Sequence, residues 1–145
     1  MKINKIDHIC VAVKSLEEAR RVWEPVLGKT RPDEAYVDEP ERIRVVRYWL
    51  GDVGFELMES TSPDGDVAKF IRKNGEGIML ISFHVDNTRQ AVDELKSKGY
   101  PFIPDKRGEV ARPFRGCEFA FVHPKKVNGV LLELIDGKGD EFKKK

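Results

Sequence analysis

The sequence predicts an α+β fold in which two tandem β-α-β-β-β modules build one curved mixed sheet with helices on its convex face. Three observations lead there: a strand-to-helix passage that occurs twice, a hairpin pattern after each, and a glutamate at the same point of both halves. With 145 residues the chain has the length of a single domain. It divides into a first module over about 6–59, a linker over about 60–77 and a second module over about 78–136.

Ile6–Val13 (IDHICVAV) is apolar on both parities without a helical period, which suits a strand buried on both faces or lining a pocket. Ser15 and Glu18 then stand in the capping-box arrangement. Leu16, Ala19, Val22, Trp23, Val26 and Leu27 follow at helical spacing up to Gly28, with Pro25 in the last turn. A polar loop is expected through Asp33–Glu41. Ile43–Leu50, a turn at Gly51-Asp52 and Gly54–Glu59 read as a hairpin, and a short helix near Val67–Lys73 joins the halves.

The order then begins again. Met79–Val85 is a strand, Asn87 and Gln90 repeat the cap, and Ala91, Val92 and Leu95 lead to Gly99 and Pro101. Glu118–Val122, a turn through His123–Gly129 and Val130–Ile135 form a second hairpin. Laying Val13 on Val85 brings Ala19 onto Ala91 and Val22 onto Glu94, so identity between the halves is weak while element order matches.

Lys and Arg number 26 against 25 Asp and Glu, giving a net charge of +1 with the signs scattered except for Lys143, Lys144 and Lys145. A nucleic-acid partner is not expected, because a phosphate footprint needs clustered cations. No apolar stretch approaches the ~18–20 residues of a membrane span, and the N-terminus lacks a signal core, so a cytoplasmic location is expected. Cys10 and Cys117 are too few for a disulfide scaffold and read as reduced thiols.

Alternation assigns the faces. Ile9, Val11 and Val13 turn to the helices, leaving Ile6, His8, Cys10 and Ala12 on the concave side; Val130, Leu132 and Leu134 likewise leave Glu133 inward, and Phe55 and Leu57 leave Glu56 inward. A carboxylate among large hydrophobes is costly unless a metal, a catalytic role or a partner compensates it. The plainer alternative is that both glutamates face solvent. Arg112 and Arg115, in the bulky loop between Pro104 and Cys117, are candidates to clamp a substrate carboxylate or a phosphate. Either Arg47 or Tyr48 faces inward.

These residues carry a resemblance. The D-H-I start, the S-x-E-E-A helix, the S-P-D-x-x-x-A-K-F-I linker at Ser62–Ile71, the G-E-G at Gly75–Gly77 and the H-P-K-x-x-N-G-V-L-L-E-L ending at His123–Leu134 resemble methylmalonyl-CoA epimerases of the vicinal oxygen chelate superfamily. The likeness runs from about Ile6 to Ile135. It implies a glyoxalase-like fold, a homodimer, an acyl-CoA substrate and an isomerase that removes an α-proton and returns it on the opposite face; Glu133 and Glu56, reaching the cleft from pseudo-symmetric modules, are the candidate catalytic carboxylates for the two faces. It also implies a divalent metal, Co, Mn, Ni or Zn, held at positions matching His8, Glu56, a fifth-strand His and Glu133.

The fifth-strand position is Leu80 here, which removes one imidazole and weakens the implied site. His84 shares its parity but lies about 13 Å further along the strand. His123 reads as a turn residue. An extradiol dioxygenase, which needs two His and one carboxylate, is disfavoured. A metal-free binding or resistance-type protein of the same fold, and a glyoxalase-like lyase or isomerase with another substrate, are the competing functions.

Overall fold

The computed structural model describes residues 1–137 and shows three α-helices and nine strands among them, an α+β protein as expected. The strands are β1 (Lys5–Ala12), β2 (Glu34–Asp38), β3 (Ile43–Leu50), β4 (Val53–Ser60), β5 (Gly77–His84), β6 (Phe102–Ile103), β7 (Arg112–Phe114), β8 (Cys117–Val122) and β9 (Leu131–Ile135). The helices are α1 (Leu16–Leu27), α2 (Asp66–Asn74) and α3 (Thr88–Ser97). The lysine run at Lys143–Lys145 lies outside the described residues. Within them no helix is long and apolar enough to cross a membrane.

The chain forms two compact units. Among the described residues, one is Ile9–Met79 and the other combines Met1–His8 with Leu80–Gly137. In the first, β2, β3 and β4 pair antiparallel in sequence. Val11 and Val13 pack with Leu16, Val46, Tyr48 and Leu57, against which Ala19, Trp23, Leu27 and Phe55 close. The helix side of β1 is therefore the one alternation assigned. Ser15 caps α1 by accepting from the Glu18 N–H at 3.2 Å, and Gly28 ends it in the left-handed region at φ 69°. Pro25 sits inside the last turn without stopping the helix.

One element departs from the sequence reading. The polar segment at Asp33–Glu41 contains β2, which pairs Tyr36 with Val45 along the outer side of β3. An edge strand of five residues buries too little apolar surface to print a clear alternation, and Val37 remains exposed.

In the second unit β5 runs parallel to β9, β9 pairs antiparallel with β8, and β8 carries both β6 and β7. Leu134 packs with Val85 and Ala91 under α3, joined by Phe83, Leu95 and Phe102. Asn87 caps α3 by accepting from the Gln90 N–H at 2.9 Å. The other face carries Cys117, Phe119 and Ile135 with Phe114 and Phe121. β7 falls inside the loop expected before Cys117. It forms a hairpin with β8 through Arg115 and Gly116, both at positive φ (48° and 85°), the pairing that a two-residue type I′ turn requires. Cys10 and Cys117 are both free and buried.

Candidate functional site

Each unit buries a glutamate, and each glutamate has its own set of neighbours. In the unit containing Met1–His8, the His8 ring lies between two carboxylates: Nδ1 is 2.7 Å from Asp7 Oδ2 and Nε2 is 2.9 Å from Glu133 Oε1. The Asp7 contact has hydrogen-bond geometry, whereas Glu133 Oε1 has no hydrogen-bond partner among the described residues and meets the ring by proximity alone. With hydrogen on Nδ1 alone, Nε2 presents a lone pair toward the Glu133 carboxylate, and Asp7 fixes that tautomer and the ring orientation.

Strand register builds the surroundings of Glu133. Its parallel neighbour on β5 is Ser82 and its antiparallel neighbour on β8 is Phe121, so these three side chains share one face. Leu80, two residues before Ser82, lies on that face opposite Leu131. Arg112 is buried there: its guanidinium stands 5.0 Å from the Phe121 ring centroid, and Nη2 donates to the Ile103 carbonyl at 2.9 Å. Arg115 does not join it. That side chain is exposed at the tip of the β7–β8 hairpin, beside the Phe114 ring.

In the unit spanning Ile9–Met79, Glu56 pairs with Arg47, its register partner across the β3–β4 hairpin. The pair is as deep as the fold allows, Arg47 at 0% exposure and Glu56 at 1%. The Cys10 thiol donates to Glu56 Oε1 at 3.2 Å, and the Arg47 guanidinium lies 5.0 Å from the Trp49 ring centroid. Tyr48, the next residue, turns the other way and donates its hydroxyl to Glu24 on α1 at 2.6 Å. Burial alone would push the Glu24 carboxyl up, but the Tyr48 hydroxyl and the Arg20 guanidinium outweigh it and hold that carboxyl below its ordinary range.

The donor set tests the implied metal. Ligands about 2.1 Å from a six-coordinate ion stand roughly 3 Å apart, and His8 Nε2 and Glu133 Oε1 are 2.9 Å apart with Asp7 behind the ring. These two residues fit a divalent cation. Glu56 has the Arg47 guanidinium in contact, which already supplies the positive charge a metal would bring and repels a second one. Leu80 offers no donor. His84 is engaged elsewhere, with the Asn4 amide at Nδ1 and the Gly137 carbonyl at Nε2. His123 accepts from the Lys125 N–H at 3.1 Å and caps the turn at Pro124–Lys126.

The arrangement is that of a glyoxalase-type protein, and similarity places it more closely. Residues 7–121 match the Glyoxalase/Bleomycin resistance protein/Dioxygenase superfamily, and the chain belongs to that superfamily. It is 32% identical over 139 residues to an uncharacterized protein of Bacillus subtilis, covering 96% of each. It is 33% identical over 133 residues to human mitochondrial methylmalonyl-CoA epimerase, covering 91% of this chain and 73% of that one. A solved methylmalonyl-CoA epimerase in complex with methylmalonyl-CoA and NH4+ superposes with a TM-score of 0.83 at 27% identity, over 94% of this chain and 96% of that one.

Sequence reasoning singled out His8, Glu56, Glu133, Arg112 and Arg115 but passed over Asp7, Arg47 as the partner of Glu56, and Ser82. Arg47 had a legible signal. A two-residue turn at Gly51-Asp52 pairs Leu50 with Val53, and counting back three residues on each strand sets Arg47 opposite Glu56.

Proposed function

We propose that this chain abstracts and returns the α-proton of a carboxylated acyl-CoA of the methylmalonyl type. The observation that carries the reading is the Asp7–His8–Glu133 line: a buried carboxylate held at 2.9 Å from an imidazole whose far nitrogen is fixed by a second carboxylate. Epimerase relatives over nearly the whole chain support the substrate class.

The proton between a thioester and a carboxylate is acidified by both. Glu133 has Oε1 2.9 Å from His8 Nε2, leaving Oε2 to take that proton, while the C–H electron pair becomes the C=C bond and the carbonyl π pair moves onto the thioester oxygen. Arg112, buried on the Glu133 face, supplies a guanidinium for the substrate's free carboxylate. A divalent cation held by His8 and Glu133 would supply Lewis-acid stabilisation of the developing negative charge. Glu56, compensated by Arg47, is left out of this proton path.

The test is deuterium incorporation at the α-carbon of methylmalonyl-CoA in D2O, followed by mass spectrometry, with and without added Co, Mn, Ni or Zn. Exchange at a rate well above the uncatalysed background is expected. A folded protein that binds the thioester but exchanges nothing under any of these conditions contradicts the proposal and favours a binding protein of the same fold.

A further inference from the structure

Ser82 is fully buried, at 0% exposure, and among the described residues its Oγ has no hydrogen-bond partner. A buried hydroxyl without a partner costs stability, so an alanine would serve the folded chain at least as well. Its direction follows from register. Ser82 is the parallel neighbour of Glu133, while the adjacent Phe83 packs into the core beneath α3. The hydroxyl is therefore set on the face that carries Glu133, Phe121 and Arg112, and not toward the helix.

We infer that Ser82 is a catalytic residue whose O–H donates to the thioester oxygen as that oxygen becomes an enolate, an inference that rests on the function proposed above. When Glu133 takes the α-proton, the C–H bond breaks, its electron pair forms the C=C bond, and the carbonyl π pair moves onto oxygen. The Ser82 proton stays on Oγ and its hydrogen bond strengthens as charge grows; on return of the α-proton the same electrons flow back. A donor whose acceptor gains charge only in the transition state acts on rate more than on ground-state binding. Leu80, two residues earlier on the same face, has no donor to offer, which leaves Ser82 as the donor β5 presents beside Glu133. Burial does not separate the two, since Glu133 is itself only 6% exposed and a substrate that reaches it comes within one register step of Ser82.

The experiment compares wild type, Ser82→Ala and Ser82→Thr in α-deuterium exchange, thermal melting, and binding of propionyl-CoA against 2-nitronate-propionyl-CoA, whose charged nitronate oxygens mimic the enolate. Expected for Ser82→Ala is an exchange kcat lower by about 10²-fold with KM little changed and an unchanged or higher Tm. Nitronate affinity should fall while propionyl-CoA affinity holds, and Ser82→Thr, which keeps the hydroxyl, should recover part of the rate. An exchange rate within about threefold of wild type with unaltered nitronate binding overturns the inference. So does a lowered Tm with equal losses for both ligands, which marks a packing role. Absence of exchange by the wild type overturns the functional reading and this inference with it; wild-type exchange with an unaffected Ser82→Ala overturns Ser82 alone.

Discussion

Glu133 and Glu56 occupy the same point of their modules, each flanked along its strand by large apolar residues that pack toward a helix, yet their charges are met by different chemistry. Glu133 faces an imidazole, and Glu56 faces a guanidinium. An imidazole can give its proton to solvent or a base and then offer a lone pair, leaving the carboxylate available; a guanidinium keeps its charge throughout the accessible pH range. A buried carboxylate in contact with a permanent cation is electrically complete. The repeat thus supplies two equivalent positions whose charges are met differently, and the function proposed above assigns the chemistry to Glu133 and a structural role to Glu56.

The comparison breaks most visibly at Glu133. Glu133→Gln should lower α-deuterium exchange by about 10²–10⁴-fold while circular dichroism and the melting transition stay close to wild type, because the amide keeps the shape of the side chain. Exchange that survives the change would remove Glu133 from the mechanism. On the other side of the comparison, Arg47→Ala leaves Glu56 buried beside an empty space and should cost about 3–5 kcal/mol of stability in a denaturant titration. A loss under 1 kcal/mol would mean that something other than Arg47 meets the charge of Glu56.

A third variant sharpens the metal side. Leu80→His adds an imidazole on the face of β5 that carries Ser82 and, one strand away, Glu133; calorimetric titration should show tighter Mn, Co and Zn binding. Unchanged affinity together with a lower Tm would place residue 80 outside any shared site with His8 and Glu133.

The smallest effect is expected at Tyr48, which neighbours Arg47 in sequence but faces α1. Tyr48→Phe removes one hydrogen bond to Glu24 and should cost about 1 kcal/mol without altering exchange. The folded Glu24 carboxyl is held below its ordinary value of 4.5, so its contribution is present above that value and fades as pH falls through the lower folded value. Tyr48→Phe should flatten this acid-side loss in melts taken between neutral pH and pH 3. A drop in exchange for the variant would show that the two faces of β3 are not independent.

Much of this was legible in the residues. The strand–helix order, the caps at Ser15 and Asn87, and the inward parity of His8, Glu56 and Glu133 follow from local periodicity, which side-chain alternation and helix capping express directly. The Arg47–Glu56 pairing was legible too, because a two-residue turn sets antiparallel register. The neighbours of Glu133 were not: β5 and β9 meet in parallel across more than forty residues of intervening chain, and no local rule sets that register, so Ser82 gave no sign of its position. Arg112 and Arg115 looked alike in sequence and separate only because the Arg115-Gly116 turn carries one to the exposed tip and leaves the other against Phe121.

The most direct measurement is α-deuterium exchange by the double variant Arg47→Met/Glu56→Leu, which removes both buried charges at once and so leaves neither orphaned. If Glu56 serves the structure and Glu133 the chemistry, the folded double variant exchanges methylmalonyl-CoA within about tenfold of wild type, far above Glu133→Gln. A rate that collapses to the Glu133→Gln level in a protein that still melts cooperatively would contradict that division and return Glu56 to the active site.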